Sequence, residues 1–254
     1  MNLQRDEEIL KLIEESPSQF VSVEQLALHF KTSESTIRRE IKRLADNHKI
    51  LRVHGGATTL NFSGTYKFER LDREYLEREK SEVEVKQLIA KKAITHLKNS
   101  SLIYLDASTT VASMIPYIPK DKNLKFVTNS PTVASRLIEN GLPCYVTCGE
   151  LKLTTNALIG PFAIEFLDKF NFSTGFFGTN GIHHQAKFTT PDPEECAIKV
   201  KAISRCYDVF ILADHTKIGN IASSTFSDFS RPTLIIDKID DKYKNLIKNV
   251  EIAV

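Results

Sequence analysis

Five short polar runs each follow a stretch of apolar residues, and their composition marks where chemistry can be done. Ile103-Tyr104-Leu105 leads into Asp106-Ala107-Ser108-Thr109-Thr110, and Phe126-Val127-Thr128 into Asn129-Ser130. Val146-Thr147 leads into Cys148-Gly149-Glu150, Phe176-Phe177-Gly178 into Thr179-Asn180-Gly181, and Leu212-Ala213 into Asp214-His215-Thr216-Lys217. Hydroxyls and backbone N–H groups at a helix start cradle a phosphate, and the helix dipole reinforces them. A single run of this kind is ordinary helix capping; five at the ends of strands point to a site for a polar ligand.

A second candidate surface is basic. Residues 1–30 hold two basic and six acidic side chains, whereas residues 31–60 hold seven basic (Lys31, Arg38, Arg39, Lys42, Arg43, Lys49, Arg52) and three acidic. The whole chain carries only +2, so the asymmetry, not the total, suggests a polyanionic partner. Other chemistry is missing from the sequence. There is no HExxH, no phosphate-binding GxxxxGK[ST] and no GxGxxG. Cys144, Cys148, Cys196 and Cys206 lack zinc-like spacing and read as buried, reduced thiols. Neither a metal nor a cofactor is expected.

The elements that must position these residues follow from periodicity. At 254 residues, 41% hydrophobic and 26% charged, the composition is that of a globular chain of one large or two unequal domains. Its apolar runs are far shorter than a membrane span, and no signal segment is evident, which points to the cytoplasm and away from membranes. Ile9, Leu10, Leu12 and Ile13 recur at helical spacing until Ser16-Pro17-Ser18. Ser22 to Gln25 is a capping box opening a second helix. Thr32 or Ser33 caps a third, which runs to about Asn47. Its apolar stripe is Ile37, Ile41 and Leu44, so Ser35, Arg39 and Lys42 face the other way, with Thr36 and Arg38 beside them. A small-to-basic polar face backed by an apolar stripe is what a helix entering a DNA major groove requires. Ile50 to Leu60 then reads as a hairpin turning at Gly55-Gly56, a wing that offers Arg52 and His54 to phosphates.

Thr36-Ile37-Arg38-Arg39-Glu40-Ile41, Leu44 and Leu51-Arg52-Val53-His54-Gly55-Gly56-Ala57 closely resemble the winged-helix signature of DeoR-type bacterial transcriptional regulators. Glu40 stands where Asp is usual. Residues 1–60 are accordingly expected to form a winged helix-turn-helix DNA-binding domain. Residues 61–78, rich in alternating charge, are expected to be an exposed linker. Residues 79–254 are expected to form an α/β effector-binding and oligomerisation domain. Within the last, Glu79–Leu97 reads as a helix, and strands near 102–105, 125–128, 144–147, 174–177, 209–213, 234–236 and 250–254 alternate with helices near 110–117, 131–140, 161–169, 193–206 and 240–248. Apolar strands alternating with helices imply a mostly parallel sheet covered on both faces, with ligands beyond the carboxyl ends of its strands.

The resemblance continues through Asp106, Thr109-Thr110, Thr128-Asn129, Gly160, Asn180-Gly181, Thr189-Thr190, Glu195 and Asp214-x-x-Lys217, with Ser108 where Gly is usual. It implies a domain similar in fold to ribose-5-phosphate isomerase that senses phosphorylated sugars or related metabolites. Carried onto this chain, Asp106, Ser108, Thr109 and Thr110 line the phosphate and hydroxyl end of the pocket, and Asn129, Asn180, Asp214 and Lys217 complete it. Asp106 and Lys217 are expected to converge on one crevice, Lys217 toward the anion and Asp106 toward sugar hydroxyls. The implied function is a repressor of a sugar-catabolism operon, a homodimer or tetramer released from double-stranded operator DNA by a phosphorylated sugar. Two alternatives stand beside it. One is a sugar-phosphate isomerase using Glu195, Asp106 or Asp214 as base and Lys217 as electrophile; against it, Asn180-Gly181-Ile182-His183 replaces the acidic isomerase-like loop. The other is a DNA-binding module with a purely oligomerising second domain.

Overall fold

The computed structural model describes residues 3–16, 20–47, 49–53, 56–59, 75–99, 101–152 and 155–254. The chain divides into two compact units, residues 1–67 and 68–254.

The first unit contains α1 (Leu3–Glu15), β1 (Phe20–Ser22), α2 (Val23–His29), α3 (Glu34–Asp46), β2 (Leu51–Val53) and β3 (Gly56–Thr58). The capping box at α2 is complete: the Ser22 hydroxyl accepts from the Gln25 N–H at 3.0 Å, and the Gln25 side chain accepts from the Ser22 N–H at 2.9 Å. Ser33, rather than Thr32, caps α3. Ile9, Ile13, Leu26, Ile37, Ile41 and Leu44 meet in one apolar core. The strands form an antiparallel sheet in the order β1-β3-β2. Gly56 pairs with Val53 and with Ser22, so it belongs to the strand rather than to the turn. The added strand β1 is only three residues, too short to show a period in the sequence.

The second unit opens with α4 (Tyr75–Lys80) and α5 (Val83–Ala93). Four of the residues expected in the linker, Tyr75 to Arg78, are thus helical, and residues 60–74 lie outside the described ones. The single helix expected from Glu79 to Leu97 is broken at Ser81-Glu82, where Glu82 takes φ +49°, and it finishes in a 3-10 turn at Ile94–His96. The order continues β4 (Leu102–Leu105), α6 (Thr109–Ala112), β5 (Lys125–Thr128), α7 (Pro131–Glu139), β6 (Cys144–Val146), β7 (Glu150–Lys152), β8 (Ala157–Ile159) and α8 (Pro161–Leu167). It ends with β9 (Phe172–Gly178), β10 (Gly181–His183), β11 (Lys187–Thr190), α9 (Pro193–Ser204), β12 (Cys206–Ala213), β13 (Ser224–Ser227), β14 (Thr233–Ile236), α10 (Asp241–Lys244) and β15 (Asn249–Ile252).

Seven strands form one sheet in the order β15-β14-β12-β9-β4-β5-β6, every neighbouring pair parallel. Successive residues alternate between its two faces. Ile103, Leu105, Phe176 and Leu212 pack with Ile89 and Ala90 of α5. Tyr104, Phe177, Ile211 and Ala213 pack with Ala163 of α8 and with Ile198 and Ala202 of α9. Burial on both faces explains why these strands read as continuous apolar runs. The chain runs outward from β4 through β5 to β6, then returns to β4's other side with β9. The order therefore reverses between β4 and β9, which places the switch-point crevice there. The small sheet β10-β11-β13 and the hairpin β7-β8 add antiparallel strands that the alternating pattern does not announce. Among the described residues no helix is long and apolar enough to cross a membrane.

Candidate functional site

On α3 the buried stripe of Ile37, Ile41 and Leu44 turns the opposite face outward. Ser35, Arg38, Arg39 and Lys42 are exposed and Thr36 is half-buried. Ser33 organises the amino end: its hydroxyl lies 2.8 Å from that of Ser35 and 3.0 Å from that of Thr36. Arg38 is engaged by Glu34 one turn back, at 3.0 Å. Arg39 and Lys42 have no ion-pair partner among the described residues. Two other arginines are committed to structure. Arg43 pairs with Asp6 and Arg5 with Glu40 at 3.1 Å, which fastens α3 to α1 and fixes the angle at which its free face is presented. Arg52 lies in β2, but its side chain is outside the described residues, as is all of His54.

At the carboxyl edge of the large sheet the effector candidates fall into two networks. In the first, Asp106 follows β4 at the switch point and is 2% exposed. Its Oδ2 accepts from the Gly178 N–H at 3.0 Å and pairs with the Lys199 ammonium, which also donates to the Gly178 carbonyl at 3.0 Å. Its Oδ1 makes no hydrogen bond among the described residues. Ser108 caps α6 and carries Thr109 and Thr110 into the helix's first turn. Asn129 is buried and spent on structure. Its Oδ1 accepts from the Tyr104 hydroxyl at 3.0 Å and from the Ala107 N–H at 3.1 Å, and its Nδ2 donates to the Leu158 carbonyl at 3.4 Å. It also positions the Asp106–Thr110 loop through the Ala107 N–H. Asn180 accepts from the Thr190 hydroxyl at 3.3 Å.

In the second network Asp214 is buried and accepts from the Thr216 N–H at 3.0 Å and from the Thr216 hydroxyl. Lys217 is half-buried, 3.8 Å from Asp214. Asp106 and Lys217, expected to converge on one crevice, have different ion-pair partners: Asp106 is held by Lys199 and Lys217 stands by Asp214. His215 is bound to Asp237, ring to carboxylate at 2.7 Å.

The two units match two known models in the same order. Residues 5–62 match the DeoR-like helix-turn-helix domain, and residues 81–238 match the DeoR C terminal sensor domain. An uncharacterized HTH-type transcriptional regulator of Bacillus subtilis, FruR, is 37% identical over 215 residues, covering 85% of this chain and 83% of its own length. The chain belongs to the DeoR family of DNA-binding transcriptional regulators. The glycerol-3-phosphate regulon repressor of Escherichia coli is 27% identical over 254 residues, covering 96% of this chain and 97% of its own. Among solved structures, ribose 5-phosphate isomerase A of Methanocaldococcus jannaschii overlaps 54% of this chain and 55% of its own at 14% identity, with a TM-score of 0.42. That is too loose a match to align site residues.

In this DeoR-family regulator, two buried lysines are the site residues that periodicity missed. Lys199 shares the core-facing side of α9 with Glu195, Ile198 and Ala202. Lys86 shares that of α5 with Ile89, Ala90 and Ala93. A lysine in an apolar stripe is the available signal, because a buried ammonium requires partners. Glu195 lies one turn before Lys199. Burial raises its pKa, against the Thr155 hydroxyl and the nearby Lys199 and Lys152 charges. For Asp192, which caps α9, burial is outweighed by Lys152 at 2.6 Å and by two backbone N–H groups, so its pKa is lowered. All four cysteines are free. Only Cys206 is buried as expected: Cys144 and Cys196 are half-buried and Cys148 is exposed, because the strand it follows, β6, is the edge of the sheet. Cys206 is buried, and burial pushes its thiol up to about 12.

Proposed function

We propose that this regulator is a repressor of a sugar-catabolic operon that leaves its operator when a phosphorylated sugar binds the carboxyl edge of the sensor sheet. The observation that carries the reading is the switch-point loop. Asp106 is locked by Gly178 and Lys199 with one carboxylate oxygen to spare, and Ser108, Thr109 and Thr110 follow it into a helix start. The free oxygen suits a sugar hydroxyl, and the hydroxyl-rich loop, with Lys217 from the same sheet edge, suits an anion. The Escherichia coli relative's name, a glycerol-3-phosphate regulon repressor, supports a phosphorylated effector and negative control. Ser35, Thr36, Arg38, Arg39 and Lys42 form the groove-reading face, with Arg52 and His54 on the wing, and operator DNA is the partner.

Regulation fits better than catalysis because the candidate bases are engaged: Asp106 by Lys199, Asp214 by Thr216 and Glu195 by Thr155. A sensor needs only differential affinity between two conformations. A single winged helix covers one half-site, so a homodimer or larger assembly is part of the proposal, and light scattering that shows only monomer, with and without DNA, removes that part. The test of the whole is a mobility-shift titration on the DNA upstream of the chain's own gene, with a panel of triose, pentose and hexose monophosphates. Specific binding abolished by one member supports the reading. Binding that every member leaves unchanged contradicts it.

A further inference from the structure

The elbow between α4 and α5 is built around one buried cation. Lys86 is 5% exposed. Its ammonium donates to the Arg78 carbonyl and to the Ser81 carbonyl at 2.7 Å, with the Ser81 hydroxyl at 3.5 Å. These are the carbonyls that finish α4, where the helix's negative end favours a cation. The residue that joins α4 to α5, Glu82, sits at φ +49°, a conformation that non-glycine residues adopt reluctantly. The elbow is thus a strained turn held by the Lys86 ammonium, with the Ser81 hydroxyl on the Arg78 carbonyl and the Glu79–Arg136 ion pair beside it.

The same lysine borders the effector edge. Its own carbonyl accepts the Ser113 hydroxyl at 3.2 Å, and that hydroxyl also reaches the Thr110 carbonyl at 2.6 Å. Contacts therefore run without a gap from the Ser108–Thr110 loop through Ser113 and Lys86 to α4. In sequence, α4 is the first described element after the stretch that follows the DNA-binding unit. The Lys86 charge is also under-compensated. Burial lowers its pKa from 10.5 to about 8; Asp214 and Glu82 oppose the shift, while Lys217 and Arg78 add to it. An arriving anion is the ligand that would relieve such a charge.

We propose that Lys86 is the relay of this sensor: it clamps the end of α4 in the operator-binding state and turns to the effector's anion when the effector binds, releasing α4. The proposal rests on the reading of the carboxyl edge as a sugar-phosphate site. It makes the clamp a two-state element whose balance effector and operator both shift, which is what coupling between distant sites requires.

The test has three readouts on the full chain. The first is hydrogen exchange with and without the sugar phosphate that binds most tightly in the panel, for which residues 75–80 are expected to exchange faster with ligand. The second is calorimetry at pH 8 in buffers of different ionisation enthalpy, for which binding is expected to take up about half a proton as Lys86 becomes fully charged. The third is Lys86→Met, expected to fold, to bind operator about 5- to 150-fold more weakly, the usual range of allosteric coupling, and to have lost its response to ligand. A merely structural role for Lys86 would leave exchange at 75–80 and proton uptake unmoved by ligand in the parent. Ligand that binds the parent without altering exchange at 75–80 or taking up protons overturns the relay while leaving the effector site standing. A panel with no member that binds overturns both. If Lys86→Met does not fold, the exchange and proton readouts on the parent decide alone.

Discussion

Replacing Lys199 with Met tests whether the switch point is held as the structure holds it. The variant keeps the length and apolar stem of the side chain but removes the ammonium that pairs with Asp106 and donates to the Gly178 carbonyl at 3.0 Å. The side chains of Lys199 and Asp106 are only 7% and 2% exposed, so water cannot take over. Asp106 would keep one donor, the Gly178 N–H at 3.0 Å. Breaking a buried pair from one side costs about 3–5 kcal/mol, mostly the penalty of the stranded charge. For a domain of this size that lowers the melting midpoint by roughly 6–20 °C. The assay is urea denaturation followed by tyrosine fluorescence and circular dichroism, since the chain has no tryptophan. The transition of the sensor unit should shift while that of the DNA-binding unit stays in place. Adding Asp106→Asn removes the charge that was stranded and should recover most of the loss. A deficit under about 1 kcal/mol, or a double variant as unstable as the single one, would refute a buried, mutually dependent pair.

Arg39→Ala should weaken operator binding by about 1–3 kcal/mol with relaxed specificity, and Arg38→Ala by less, because Glu34 already engages it; anisotropy titrations on operator and scrambled DNA compare the two. Arg52→Ala on the wing should instead weaken all sequences evenly and lower the salt slope by about one. Gly178→Ala places a Cβ 2.2 Å from the Ser108 hydroxyl oxygen, so it should cost about 1–3 kcal/mol and abolish the sugar-phosphate response, read by a thermal melt beside a release assay. Lys86, with a folded pKa of about 8 against 10.5, gives the unfolded chain the greater proton uptake between those values, so sensor stability should rise with pH across that window. Urea midpoints from pH 7.5 to 10 check this, and Lys86→Met should lack the rise.

The recognition helix was legible because its signals are local. A cap at Ser33, a stripe of Ile37, Ile41 and Leu44, and the basic face opposite lie within fifteen residues. The parallel strands were legible because burial on both faces makes them apolar throughout. The exit loops were legible in type for the same reason, since each begins where an apolar run stops. What each loop residue does was not. Asn129 looks like a pocket amide, yet it serves Tyr104, Ala107 and Leu158, partners from three separate segments. Lys199 lies 93 residues from Asp106, and only its place in an apolar stripe hints at burial. The break at Ser81-Glu82 escaped because both residues tolerate a helix, and only the burial of Lys86 shows that its ammonium closes on the Arg78 and Ser81 carbonyls. The β7-β8 hairpin and the sheet β10-β11-β13 escaped because strands of three or four residues are too short to carry a period.

The central claim is that one site at the carboxyl edge of the sensor sheet governs DNA release. The most direct measurement is the operator-release titration of the parent beside Asp106→Asn and Lys217→Ala, using the sugar phosphate that releases the parent, with a melt to confirm folding. Both variants are expected to fold, Asp106→Asn with a lowered melting midpoint because it strands the buried Lys199 ammonium, to bind operator as the parent does and to stay bound at ligand concentrations that free the parent. Release of both variants at the parent's own midpoint would contradict it and place the sensing site elsewhere.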